Sequence, residues 1–231
     1  MALCFFSLCL GQTVIYDLNQ LDLETNTTHT FEFHDSGVYI GYSSYTITKR
    51  ELYNETDAYF IESTLDLKSD LAVIHIDASY IIDTFGRSLH YEFEATVNGE
   101  SHIVTADFTA DSVHIVASRP GEEYDKTITL AENTQLLDNN MMGQWDLAFS
   151  TAILEEGGTY GANVFAAQSM RKGSIKASIA EELVSVQAAG KTWQCFRLEF
   201  SSPLGYIAYV AEDGQLIKME NESGIVVTLK E

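Results

Sequence analysis

The residues of this 231-residue chain that could do chemistry are few and scattered. Its six histidines are His29, His34, His75, His90, His102 and His114. No two stand four apart, as paired zinc ligands on a helix do, and none has a cysteine beside it. His90, Glu92 and Glu94 form the most suggestive set. On a strand they share one face, where an imidazole and two carboxylates could accept a cation or pass a proton. The same alternation is also what a solvated sheet face looks like. The acids around Asp107 and Asp111 lack the glycine-centred spacing of a calcium loop. No metal and no cofactor are expected.

Nucleophiles are no clearer. Cys195 has Arg197 two places on and no helix start beside it, so nothing local favours its thiolate, and it reads as a small strand residue. No G-x-S-x-G elbow, phosphate-binding loop or dinucleotide glycine pattern occurs. Serine, histidine and aspartate are plentiful. A hydrolase whose triad assembles only in space therefore stays open as the lesser alternative to a protein that does no catalysis.

The elements that must position these groups are mostly strands, with one exception. Between about 138 and 156, Met141, Trp145, Ala148, Phe149 and Ala152 recur with a helical period and share one face. Asp138 or Asn139 can cap the start through a backbone N–H, and Gly157 can end the helix in a left-handed turn. Such a helix must bury its apolar face, and only a sheet is on offer; each large group so buried contributes roughly 1.5–3 kcal/mol. Elsewhere the pattern alternates. Ser88 to Val97 is the cleanest strand, with Leu89, Tyr91, Phe93, Ala95 and Val97 facing one way. Asn98-Gly99 follows, a strong hairpin signal, and the return strand is Ser101 to Phe108. After the helix, Gly173 to Ile179 and Leu183 to Ala188 read as a pair across Ala180-Glu181-Glu182. Phe196, Leu198 and Phe200 share a face of the strand Thr192 to Phe200, with Trp193, Cys195 and Arg197 opposite. One wet and one dry face per strand marks an antiparallel sheet. The fold class expected is mainly β (α+β): a curved antiparallel sheet or half-barrel wrapped around one central helix. With two prolines and no linker in the chain, residues 12–231 read as a single β-rich domain.

Composition limits the partners. The 34 acidic against 13 basic residues make a net charge of −21, which repels nucleic-acid phosphates and anionic membrane surfaces. The opening MALCFFSLCLG is apolar but far short of the ~20 residues of an integral membrane span. It reads as a truncated export signal over residues 1–11, with Cys9 a candidate lipid-bearing cysteine and a buried first strand the structural alternative. Export to the periplasm, the cell surface or the medium is the expected localisation. Asn26, Asn54 and Asn221 each open an N-glycosylation acceptor triplet.

The second half has a recognisable order of parts: the helix, Leu154-Glu-Glu-Gly-Gly-Thr-Tyr, Ala189-Gly-Lys-Thr, Cys195-Phe-Arg-Leu-Glu-Phe, then the hairpin from Ile207 to Glu220. The first half supplies Gly37-Val-Tyr-Ile-Gly-Tyr-Ser-Ser-Tyr. Over residues 30 to 231 the chain resembles exported β modules that precede transglutaminase-like domains. It is similar also to lipoprotein-carrier-like half-barrels, in which a curved sheet wraps a helix. The resemblance implies an envelope or extracellular module that binds or positions something, and no activity of its own. The last expected strand ends two residues before Glu231, so the module is expected to act alone or with a separate partner. Met141, Trp145, Phe149, Phe196 and Leu198 are the candidate lining of an apolar groove, for a lipid or other apolar ligand, left where the helix only partly closes the sheet. A protein partner in the envelope, or service as a structural accessory subunit of a separate enzyme or complex, are the other readings.

Overall fold

The computed structural model describes residues 18–70, 72–138, 140–201 and 204–230. The expected export signal over residues 1–11, and with it the alternative of a buried first strand there, lies outside them.

Strands with period-two alternation follow one another from the start: β1 (Thr27–Asp35), β2 (Val38–Tyr53), β3 (Thr56–Lys68), β4 (Val73–Asp83), β5 (Ser88–Val97), β6 (Glu100–Phe108), β7 (Ser112–Arg119) and β8 (Glu122–Thr129). Each pairs antiparallel with the next. Tight turns set the register; at the β5–β6 hairpin Asn98 and Gly99 both take positive φ, 53° and 85°. The chain then runs through a two-residue β9 (Gln135–Leu136) and a single α-helix, α1 (Met142–Ser150). Seven strands follow: β10 (Thr159–Ala166), β11 (Arg171–Ile179), β12 (Val184–Ala188), β13 (Lys191–Phe200), β14 (Tyr206–Ala211), β15 (Leu216–Asn221) and β16 (Ile225–Lys230). β16 returns to β1, with Phe31 opposite Leu229 and Phe33 opposite Val227, so all the described strands form one sheet. Only β9 and β10 run parallel among the described strands.

The sheet curls until its two ends approach. Among the described residues no ladder joins them, but side chains do: Lys172 Nζ donates to the Thr129 carbonyl at 2.6 Å, Asn163 Nδ2 to the Glu132 carbonyl at 3.1 Å, and Arg119 to the Gln168 carbonyl. Phe108 and Phe165 meet edge to face at 6.1 Å. The result is a half-barrel-like wall whose inner residues, such as Tyr45, Ile61, Tyr80, Tyr91, Ile115 and Leu198, are sealed from solvent. β5 keeps the face that its alternation indicates; on β13 Leu198 and Phe200 are buried as expected, but Cys195, expected on the opposite face, is fully buried and Phe196 only half-buried.

Two expectations are corrected. The sequence reading pairs β11 with β12, but both strands pair with β13 instead, β12 along Lys191–Cys195 and β11 along Leu198–Phe200. At ten residues β13 is long enough to give each partner half its length. The helix is also shorter than the 138–156 expected, and it is not one-sided. It begins after Met141 with no side-chain cap bond, and Thr151 closes it. Asn139 lies outside the described residues, while Asp138 spends its carboxylate on the amide of Gln168, in the short turn Ala167–Ser169. Gly157 has the left-handed φ of 70°, but its amide bonds the Ala180 carbonyl, in a loop beyond the helix. Every residue from Met142 to Phe149 is buried. The helix occupies the hollow of the wall instead of lying across it. It fits so closely that a Cβ on Gly143 would stand 2.6 Å from the Tyr80 hydroxyl and 2.7 Å from the Tyr45 ring.

Candidate functional site

The apolar residues singled out in sequence come together as packing. Trp145 meets Phe200 edge to face at 5.7 Å and Phe149 at 6.1 Å; Phe149 meets Tyr160 at 5.4 Å. Met141, Trp145, Phe149 and Leu198 belong to one buried cluster, with Phe196 half-buried at its margin. The spaces beside them are small. A cavity between Tyr80, Gln135, Gln144 and Leu147 measures ≈ 20 Å³. Two more, one under Ala148 and Tyr160 and one under Trp145 and Tyr206, are of the same size. Such volumes suit about one water each, whereas small-molecule pockets run to roughly 300–1,000 Å³.

Enclosure forces the polar side of the helix into the core as well. Asp146 accepts from the Leu216 amide at 2.6 Å and from the Tyr45 hydroxyl at 2.7 Å, which ties the helix to β15 and β2. Burial and the adjacent carboxyl hold the Tyr45 phenol well above its ordinary pKa, so it stays a donor. His29 stacks on Tyr45 and places Nδ1 4.0 Å from Asp146, too far to hydrogen-bond, and burial lowers its pKa. Asp138 accepts from the Gln168 amide at 2.9 Å, and its own amide donates to Gln144 Oε1 at 2.6 Å. Tyr91 stands close to Asp138 and the Gln168 side chain without completing a hydrogen bond to either. Burial pushes both carboxyls, Asp138 and Asp146, up to about 7. The sequence reading missed both as interior groups. A signal was present: MGQWDLAFS carries one charged residue in nine, whereas a solvated helix in so acidic a chain would carry several.

On the outside, three of the six strand histidines meet carboxylates. His75 lies between Asp66 at 2.7 Å and Asp77 at 3.1 Å; its hydrogen bond to Asp66 raises its pKa. His90 contacts Asp107 at 2.7 Å and Glu92 at 3.4 Å, and His114 contacts Asp125 at 2.9 Å. The expected trio is therefore divided, because His90 reaches Glu92 but turns to Asp107 on the neighbouring strand instead of Glu94. Among the described residues no three His, Cys, Asp or Glu side chains are grouped to hold a metal. Cys195 is fully buried and unpaired by disulfide, and burial pushes its thiol up to about 11.

The outer face of β3–β6 also forms a shallow hollow of ≈ 530 Å³. Two rows of residues cross it. Glu62, Ser79 and Glu92 lie opposite one another on successive strands, as do Asp77, Glu94 and Ile103. Asp77 thus faces Glu94 directly, an arrangement of like charges that destabilises a sheet. From Val73 to Ser118 Arg87 is the one lysine or arginine, and it is committed to Asp83 at 2.6 Å in the β4–β5 turn; of the histidines there, His75 reaches Asp77 and His90 reaches Glu92.

No protein-family model matches this chain, and no curated protein matches it significantly. Solved structures resemble it in shape. A β-barrel-like protein of the domain of unknown function DUF1849 from Brucella abortus gives a TM-score of 0.53 at 11% identity, covering 88% of this chain and 94% of its own. A DUF1089 family protein from Pseudomonas aeruginosa gives 0.41 at 11% identity, covering 76% and 87%. A candidate lipoprotein from Parabacteroides distasonis gives 0.32 at 11% identity, covering 95% and 99%. The first of these shows a shared β-barrel-like fold, in keeping with the half-barrel expected from sequence. None of the three carries a link to transglutaminase-like domains.

Proposed function

We propose that this chain is an exported, non-catalytic binding module that recognises a protein partner through the outer face of β3–β6. The observation that carries the reading is the hollow itself, with Glu62, Asp77, Glu92 and Glu94 on its floor and like charges set opposite each other. A sheet keeps such an arrangement at a cost, which a lysine- or arginine-rich segment laid across it offsets. Electrostatic complementarity of this kind speeds encounter and sets register. Ile103, 46% exposed at the hollow's edge, adds an apolar contact. Export rests on the apolar opening run. The interior, with spaces of ≈ 20 Å³ beside the helix, favours a protein partner over an acyl chain. A structural accessory subunit would use the same surface.

The test is titration calorimetry with an octalysine peptide. The unmodified protein binds it with an affinity that falls as salt is added. E62Q/D77N/E92Q/E94Q weakens binding by about tenfold or more, since each exposed pair contributes about 0.2–1 kcal/mol. E155Q/E156Q/E181Q/E182Q removes four exposed acids elsewhere and keeps near-native affinity. Equal loss in both variants would mean that only net charge matters, and the reading would fail.

A further inference from the structure

We propose that the outer surface of β3–β6 is gated by two of its own histidines: His75 and His90 leave Asp77 and Glu92 free for the basic partner when neutral, and claim those carboxylates when charged. The gate rests on the reading of that surface as the docking site for a lysine- or arginine-rich segment.

The placement of the two rings carries this. His75 on β4 stands opposite Asp66 of β3 on one side and Thr96 of β5 on the other. Its Nδ1 lies 2.7 Å from Asp66 and its Nε2 3.1 Å from Asp77, on its own strand. Tyr42 of β2 stands opposite Asp66 in turn. His90 on β5 stands opposite Ile81 of β4 and Asp107 of β6. Its Nδ1 lies 2.7 Å from Asp107 and its Nε2 3.4 Å from Glu92. The Tyr53 ring of β2 lies 6.4 Å from the His90 ring. Next along the row, His114 of β7 also stands opposite Asp107, but its contact is with Asp125 of β8. Two of the four acids lining the hollow, Asp77 and Glu92, thus end on an imidazole.

Both rings set each nitrogen against a carboxylate. A neutral imidazole has one N–H, and its other nitrogen is an acceptor. It donates to one carboxylate of its pair and meets the other lone pair to lone pair. The imidazolium donates to both. The arrangement therefore favours the charged ring, and the hydrogen bond to Asp66 raises the His75 pKa accordingly.

A lysine ammonium laid on Asp77 or Glu92 competes with the ring for the same oxygens. Partner and proton oppose each other, and by linkage each weakens the other's binding by the same factor. Histidine is the side chain whose charge changes between about pH 5 and 8. The surface accordingly grips at neutral pH and lets go in acid.

Octalysine titration calorimetry at pH 7.5 and pH 5.5 tests the gate. The unmodified protein is expected to bind about tenfold more tightly at pH 7.5, since each exposed pair counts for up to about fivefold in affinity. At pH 6.5, in buffers of differing ionisation enthalpy, binding is accompanied by proton release. H75N/H90N, whose new side chains stay neutral, binds equally at both pH values and loses most of that release. H34N changes a histidine of β1 that lies against Tyr39, and it keeps the full pH dependence. Binding that is flat with pH, that releases no protons, or whose pH dependence survives in H75N/H90N would overturn the gate and leave the docking reading standing. No binding at either pH would overturn both.

Discussion

Phe149→Ala lowers the free energy of unfolding by about 3–5 kcal/mol, the range for deleting a fully buried aromatic ring. Phe149 has no exposed surface and packs against Trp145, Tyr160 and Phe200, so the ring supports both the helix and the second-half wall. Against a total stability of about 5–15 kcal/mol for an ordinary domain, that is about a fifth of the whole or more. Phe196→Ala, at the half-buried margin of the same cluster, should cost much less. Urea unfolding of both variants measures the difference. A loss below about 1 kcal/mol at Phe149 would mean that the cluster around the helix does not hold the fold.

The second large effect is an inverted pH dependence. Many proteins lose stability in acid because their carboxylates are paired in the fold. Here two buried carboxyls are pushed up to about 7, so the sign reverses. Below about pH 4 both the folded and unfolded chains are protonated at these groups, and their contribution is full. As pH rises from about 4 to 7 the unfolded chain releases protons that the folded one retains, and stability falls by about 1.4 kcal/mol per pH unit for each group. A few kcal/mol should be lost between pH 5 and pH 7. His75, whose pKa is raised by Asp66, acts in the same direction: its contribution is present below about 6.5 and is lost as pH climbs through its raised value. The net charge of −21 adds self-repulsion at higher pH. Asp57, lowered by Arg50, opposes the trend, but that pair is solvent-exposed and contributes little. Urea midpoints should therefore be higher at pH 5 than at pH 8, and D138N/D146N should flatten the difference. A midpoint that climbs with pH in the unmodified protein would contradict the buried-carboxyl assignment.

The wall of this protein was legible because alternation is a local signal. Leu89 to Val97 with Asn98-Gly99 specifies a strand, its buried face and its turn in a dozen residues, and β5 and β6 follow it. β9, two residues long and paired in parallel with β10, leaves no periodic trace. The partners of β13 were misread because alternation says which face a residue takes but not which neighbour lies beside it. The helix was legible in type and in its apolar side, through Met141, Trp145 and Phe149. Its complete enclosure was not, since that depends on a sheet assembled from both halves of the chain through the β1–β16 pairing. Asp138 illustrates the consequence. Next to a helical pattern an aspartate reads as a cap, yet tertiary packing directs it to Gln168. Of the outer hollow, Glu92 and Glu94 were visible on one strand; Glu62 and Asp77 join them through cross-strand register.

That the half-barrel is filled by its own helix, leaving recognition to the outside, is tested most directly by native mass spectrometry of protein purified from cell extract without detergent. The predicted result is the mass of the polypeptide alone, unchanged by prior extraction with organic solvent. A stoichiometric, non-covalent lipid that such extraction removes would contradict it, because the spaces of ≈ 20 Å³ beside Trp145, Tyr160 and Gln144 have no room for an acyl chain.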